Sequence, residues 1–331
     1  MSLFLRYREL VLAVLIALMV AGIGAYAPAF VAGDSLLGVL NDTAFLFMMA
    51  LAQMVVILTR GIDLSVAANL ALTGMLVGML NQSYPDLPAV IYIVSAIGIG
   101  ALLGLFNGGL IAYLGIPPIV VTLGTLAIYR GMIVVIAGGD QVNASEMSAS
   151  FGGFPKIQFL GLSTVFWLAA AIAVLIWVFL NMTRTGRGLF AVGGNPIAAR
   201  YCGIDKGRAE LLVYAISGAV AGLSGYLWVA RYGVAYSEIA VGFELTVIAA
   251  CVIGGVSIGG GVGSVSGTLL GALFIGIIVN ALPTMQVSPF WQMAISGAVI
   301  LAAVIINARA EARPDKLILP EARREAAKAR R

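Results

Sequence analysis

Between Leu10 and Val31 no side chain after Leu10 is charged at neutral pH, and the same holds from Val165 to Leu180. A helix rises 1.5 Å per residue, so about twenty such residues cross the hydrocarbon core of a bilayer. Runs of this kind recur along the whole chain, which therefore reads as an all-α, polytopic bundle of transmembrane helices. Hydrophobic residues make up 61% of the 331 and charged residues only 10%, where a soluble domain carries about 25%. The mean hydropathy of +1.05 points the same way. Apolar windows broken by Gly, Pro, Asn or charge predict about ten spans, near 10–31, 37–58, 62–81, 88–113, 117–137, 163–181, 210–230, 242–258, 262–282 and 288–307. The first follows Arg6, Arg8 and Glu9 and is longer than a signal-peptide core, so it reads as a retained span.

Lys and Arg set the orientation, because cytoplasmic loops retain positive charge. With both termini inside, the cytoplasmic side holds Arg6, Arg8, Arg60, the five basic residues from Arg184 to Arg208 and the eight from Arg309 to Arg331, sixteen of nineteen in all. Lys156 and Arg231 fall outside, and Arg130 falls within the fifth span. This divides the chain into a transmembrane domain (1–308) with a cytoplasmic loop at about 182–209, and a basic cytoplasmic tail (309–331). The net charge of +4 is concentrated in that tail, which reads as an anchor beside membrane lipid; no nucleic-acid partner is expected. The absence of histidine excludes Ser-His-Asp triads and imidazole metal sites, and Cys202 and Cys251 are too few for a metal cage.

Function must then lie where the apolar pattern is interrupted. Gly255, Gly259, Gly263, Gly267 and Gly271 recur every four residues, the spacing that puts small residues on one helix face and lets backbones approach. The adjoining Gly254, Gly260 and Gly261 predict a broken or re-entrant segment there, while the lack of any Gly-Lys-Ser/Thr argues against a phosphate loop. Gly61–Ser65, which opens the third span, and Gly255–Gly259, which precedes the ninth, hint at a weak internal repeat. In the cytoplasmic loop, Asn195 as N-cap, Pro196 at the first helical position and Gly203 just past the end predict a two-turn helix. Such a helix suits either docking on another protein or lying on lipid headgroups.

Ionisable residues near the spans (Asp42, Arg60, Asp63, Arg130, Glu238, Glu244) are candidates for a path or a partner, with interfacial pairing as the alternative. The neutral polar residues Asn41, Gln53, Asn69, Asn107, Thr122 and Thr125 suit a path for a hydroxylated solute. Hydrogen bonding between helices accounts for them equally.

Several segments together resemble the permease subunits of bacterial ABC sugar importers of the ribose type. These are Gly61-Ile-Asp-Leu-Ser-Val66, Gly104-Leu-Phe-Asn-Gly-Gly109, Ile116-Pro-Pro-Ile-Val-Val-Thr-Leu-Gly-Thr125, Arg130-Gly131, Gly193-Gly-Asn-Pro-Ile-Ala-Ala-Arg-Tyr-Cys-Gly-Ile204 and the run Gly254–Gly271. Within that branch, Asn41–Ala44, Ser65–Gly74 and Val287–Gly297 look most like rhamnose-importer permeases. The resemblance implies import of a monosaccharide, a deoxyhexose such as rhamnose or a pentose, across the bacterial inner membrane. It also implies a second permease subunit, alike or different, a cytoplasmic ABC ATPase and a periplasmic sugar-binding protein. ATP and Mg would be bound by the ATPase, with no cofactor and no catalytic residue on this chain. It further implies that Gly194, Asn195, Pro196, Ala198, Ala199, Arg200, Gly203 and Ile204 form the contact with the ATPase. Branched-chain amino-acid permeases are a related alternative, and an ion-coupled carrier a remoter one that would use Asp63 as its ion site. A membrane-embedded enzyme has least to recommend it, lacking any nucleophile and base in register.

Overall fold

The computed structural model describes residues 8–288 and the isolated positions 291, 294, 297, 298, 301 and 305. The tenth expected span and the basic tail lie almost wholly outside the described residues. Twelve helices fill the described part. The long ones are α1 (Arg8–Tyr26), α2 (Gly33–Leu58), α3 (Val66–Ser83), α4 (Ala89–Leu114), α5 (Pro118–Ala137), α7 (Thr164–Met182), α10 (Lys206–Tyr232) and α12 (Val265–Thr284). The shorter ones are α6 (Ala149–Gly153), α8 (Arg184–Gly194), α9 (Pro196–Tyr201) and α11 (Phe243–Ile253). All the long ones except α3 are long and apolar enough to cross a membrane.

Burial explains that exception. Asn69, Asn81, Gln82 and Ser83 dilute the hydropathy of α3, yet most of the helix is enclosed by protein, where neighbouring helices satisfy its polar groups. Alongside it, α2 is buried continuously from Thr43 to Leu58, as expected of a helix that is apolar on every side. Exposed apolar side chains instead line α1 (Leu10, Val14, Leu18), α4 (Val94, Leu102, Phe106) and α5 (Val120, Leu123, Val135).

Glycine seams bring the helices together. Gly100 and Gly104 of α4 face Gly218 and Gly222 of α10, and a methyl on any of the four would run into the opposing backbone. Gly74 of α3 meets Gly225 of α10 in the same way. Where the driving force between helices is close packing, such seams are the chief source of association.

Connections gather at two ends. One end holds the loops 59–65, 115–117, 183–205 and 254–264, and the start of α1. The other holds the 84–88, 138–163 and 233–242 segments, where β1 (Val142–Asn143) pairs antiparallel with β4 (Val234–Ala235), and β2 (Gln158–Phe159) with β3 (Leu162–Ser163). Here Arg231 forms an ion pair with Asp42 at 2.6 Å.

Two spans differ from expectation. The eighth, expected at 242–258, is the 11-residue α11, about 16 Å long and short of the roughly 30 Å hydrocarbon core. A loop follows it from Gly254 to Ser264. Gly255, Gly259 and Gly263 lie in this loop, not on a helix face; Gly255, Gly260 and Gly261 have positive φ, which bends the chain out of helical geometry. Only Gly267 and Gly271 act as expected of a packing face, set against Gly254 and Ala250. The first span also ends early, at Tyr26, because Pro28 starts a separate 3-10 turn. Helix α1 packs chiefly on α12: Ile16 is buried with Ile277 and Ala281, and the Glu9 carboxylate accepts hydrogen bonds from Ser264 Oγ (2.5 Å) and Ser266 Oγ (2.9 Å).

Candidate functional site

The end of the bundle with the 183–205 loop carries an elbow of two short helices. Thr183 Oγ1 caps α8 by accepting from the Gly186 N–H at 2.9 Å. One residue after α8 ends, Asn195 caps α9: its Oδ1 accepts from the N–H groups of Ile197 (3.1 Å) and Ala198 (3.0 Å), and Pro196 takes the first helical position. The far end closes with Gly203 at φ 78° and the Ile204 N–H on the Ala199 carbonyl at 3.0 Å, the bonding of a left-handed C-terminal cap. Asp205 then caps α10 by accepting from the Arg208 N–H.

Capping at both ends makes a six-residue helix stable without much burial of its own. The buried Ala199 anchors it, while Ile197 (71% exposed) and Tyr201 (88% exposed) stand one turn apart in the open. Gly194, Asn195, Ala198, Arg200 and Gly203 are also exposed, and Pro196 and Ile204 are partly so. A cleft of about 940 Å³ runs beside them, floored by Gly203–Gly207. A large apolar pair on an otherwise basic, polar surface has the character of a protein-binding spot.

The elbow buries Leu189 and Val192 in the core, and a polar tie joins it to the end of α2. Arg60, just past the end of α2, donates from Nε to the Gly193 carbonyl (2.6 Å) and from Nη2 to the Gly194 carbonyl (2.9 Å). The Gly261 N–H donates to the Leu58 carbonyl at 3.0 Å, and Gly193 lies directly on that same carbonyl. Nothing in the local sequence marks these partners, which are more than 130 residues from Arg60 in the chain. A cation immediately after an apolar helix and before Gly61 was the only available signal.

The 59–65 loop in turn bonds to most of the core. The Ile62 carbonyl accepts from Thr122 Oγ1 (3.1 Å) and Tyr214 OH (3.4 Å). The buried Asp63 carboxylate accepts from the Ser65 N–H (3.0 Å), Ser65 Oγ (2.7 Å) and Ser217 Oγ (3.1 Å). Asn107 Nδ2 donates to Ser65 Oγ at 2.8 Å. With its amide oriented to fit, Gln53 brackets the Asp63 backbone, donating to its carbonyl and accepting from its N–H.

The neutral polar residues expected along a solute path are engaged within the chain in this conformation. Asn41 bonds to the Gly161 carbonyl and the Ser163 N–H, Asn69 to the Gly100 carbonyl, and Thr125 to the Val121 carbonyl. With Gln53, Asn107 and Thr122 engaged as above, all six are buried; five hold one segment of the chain to another, while Thr125 bonds within its own helix. Besides Arg60, three of the ionisable residues are likewise engaged: Asp42 with Arg231, Asp63 with two serines, and Arg130, whose Nη1 donates to the carbonyls of Ser237 (2.9 Å) and Ile239 (2.6 Å). Arg130 thereby ties α5 to the loop before α11.

At the opposite end, two adjoining clefts of about 430 and 360 Å³ share Asp140 and Gln141 in their lining. Those two side chains make no hydrogen bond among the described residues, and Tyr236 and Ser237 border the larger cleft. Cleft volumes of this size suit small-molecule ligands.

Residues 35–304 match the protein family described as "branched-chain amino acid transport system / permease component". The ribose import permease protein of Escherichia coli K12 is 36% identical over 297 residues, spanning 88% of this chain and 92% of the relative. The galactose/methyl galactoside import permease protein of the same strain is 35% identical over 303 residues (86% and 90%). Its D-allose transport system permease protein is 34% identical over 294 residues (88% and 89%). No solved structure matches.

Proposed function

Because the chain belongs to the permease subunits of bacterial ABC sugar importers, within the ribose-type branch, we propose that it carries a monosaccharide into the cytoplasm, driven by an ATPase that docks on α9. The observation that carries this reading is the doubly capped α9, with Ile197 and Tyr201 exposed on one face. Its end of the bundle is then cytoplasmic: Arg8, Arg60, Arg184, Arg187, Arg200, Lys206 and Arg208 gather there, against Lys156 and Arg231 at the other end. The distribution of Lys and Arg along the sequence supports a cytoplasmic side for both termini. ATP and Mg belong to the ATPase, and a periplasmic sugar-binding protein delivers the solute to the opposite face.

Since the polar side chains of the bundle already hold one another, the solute surface is proposed to lie between this chain and a second permease subunit. The clefts at Asp140 and Gln141 form its periplasmic mouth, where a carboxylate and an amide with free hydrogen-bonding capacity suit sugar hydroxyls. A deoxyhexose such as rhamnose, or a pentose, is the proposed cargo, on the strength of the segments around Asn41, Ser65 and Val287. Asp42, Asp63 and Arg130 are taken up by partners within the chain, which disfavours a zwitterionic amino acid.

The test is uptake in vesicles carrying the chain with its partner subunits. Ile197→Asp and Tyr201→Ala should each cut sugar uptake at least tenfold with insertion intact, as removal of an exposed anchor at an interface does. Uptake of leucine but of no monosaccharide would overturn the reading.

A further inference from the structure

Besides burying Leu189 and Val192 in the core, the elbow is held to the end of α2 by one side chain, and the backbone of that residue sits in an unfavourable conformation. Arg60 has φ 67°, in the left-handed region where glycine is the usual occupant. Glycine would fill the turn without steric cost, whereas arginine there accepts that cost and places its side chain on the elbow. Its stem crosses Gly260, where a methyl would strike Cγ of Arg60. Its guanidinium ends on the last two carbonyls of α8, groups that no intrahelical donor satisfies and that carry the negative end of the helix dipole. Gly193, Gly260 and Gly261 lack the side chains that would hold these three backbones apart.

We propose that Arg60 is the tie rod of the coupling machinery, a positioning residue that makes the α8–α9 elbow, the end of α2 and the 254–264 loop move as one body. Its two donors grip Gly193 and Gly194, so only Asn195 separates the gripped carbonyls from the first residue of α9. Onward from Arg60, the bonds of Ile62, Asp63 and Ser65 lead to α4, α5 and α10, and the Gly261–Leu58 bond leads to α11 and α12. The planar fork of arginine is needed, because the three donors of a lysine ammonium rotate on one nitrogen and do not fix two carbonyls in the geometry that separate Nε and Nη2 donors impose.

The inference rests on reading α9 as the ATPase contact, and its test separates the two. Spin labels placed at the exposed Ile197 and Ile258, on the elbow and the glycine loop, report their separation in the purified chain without any ATPase. A narrow distance distribution is expected in the parent, and a broadened one in Arg60→Lys, which keeps the charge and most of the stem and so preserves folding. In the full complex, Arg60→Lys should lower sugar uptake per ATP hydrolysed at least fivefold while ATPase binding and basal hydrolysis persist. An unchanged distance distribution, or broadened distances with full uptake per ATP, overturns the tie-rod role and leaves the docking assignment standing. Loss of ATPase binding in Arg60→Lys would also overturn it, since the residue would then shape the docking surface rather than transmit through it. The docking assignment fails separately, if Ile197→Asp binds the ATPase and transports normally.

Discussion

Gly104 and Gly109 are five residues apart on α4, yet the structure gives them opposite sensitivities. A methyl at Gly104 would overlap the Tyr214 carbonyl, whereas one at Gly109 meets nothing within 4 Å. Gly104→Ala should cost about 1–3 kcal/mol, the usual range for overpacking, and Gly109→Ala should be neutral or slightly stabilising; thermal unfolding in detergent compares them directly. The same logic divides the glycine-rich run. Gly267→Ala strikes the Gly254 carbonyl, but Gly263→Ala meets only the side chains of Leu58 and Val256 at 3.2–3.4 Å and should be the milder variant. Asp63→Ala would leave Ser65 and Ser217 short of an acceptor in a buried site, a loss of about 1–3 kcal/mol by the same measurement. These residues stood out in the sequence by type, but not by role. Asn41, Asn69 and Thr122 carry the same chemistry whether they greet a solute or a neighbouring carbonyl, and their partners lie from 31 to 122 residues away.

At the scale of elements, the pattern of apolar runs was enough to place most of the long helices to within a few residues. The elbow helix was also legible, because a cap is a local event: Asn, Pro and Gly within nine residues specify where α9 starts and stops. The short α11 was not. A span is recognised by the polar residues that end it, and the 254–264 loop carries no charged residue, so hydropathy runs on where the helix has stopped. Regularity of spacing misled in the same place, since glycines every fourth residue imply a helix face only if the helix continues. The Asp42–Arg231 pair at the opposite end joins α2 to α10 and is partly exposed; Asp42→Asn should therefore lower stability by no more than about 1 kcal/mol, a change small beside that of Gly104→Ala in the same assay.

For the whole molecule, the two cysteines offer a reading of orientation that needs no substitution. Cys202, at the end of α9, is exposed, while Cys251 in α11 is buried and its thiol donates to the Ala50 carbonyl. A membrane-impermeant maleimide should label inverted membrane vesicles and leave right-side-out vesicles unmodified, with the signal abolished by Cys202→Ser. Labelling from the outer face alone would reverse the assignment of every loop. Membership of a sugar-permease family was legible because it rests on motifs spread in order along the chain. The tie between Arg60 and the elbow required coordinates.

The position of α1 bears on how the protein is made. Its principal packing partner is α12, and its one acidic side chain is held by Ser264 and Ser266. At a synthesis rate of about 5–20 residues per second, α1 leaves the ribosome roughly 10–50 s before the serines that will hold Glu9. During that interval it must reside in lipid on hydropathy alone, which its uninterrupted apolar surface allows. The earliest described helix to be translated is thus among the last to find its place, and a ribosome stalled before residue 264 would leave it undocked.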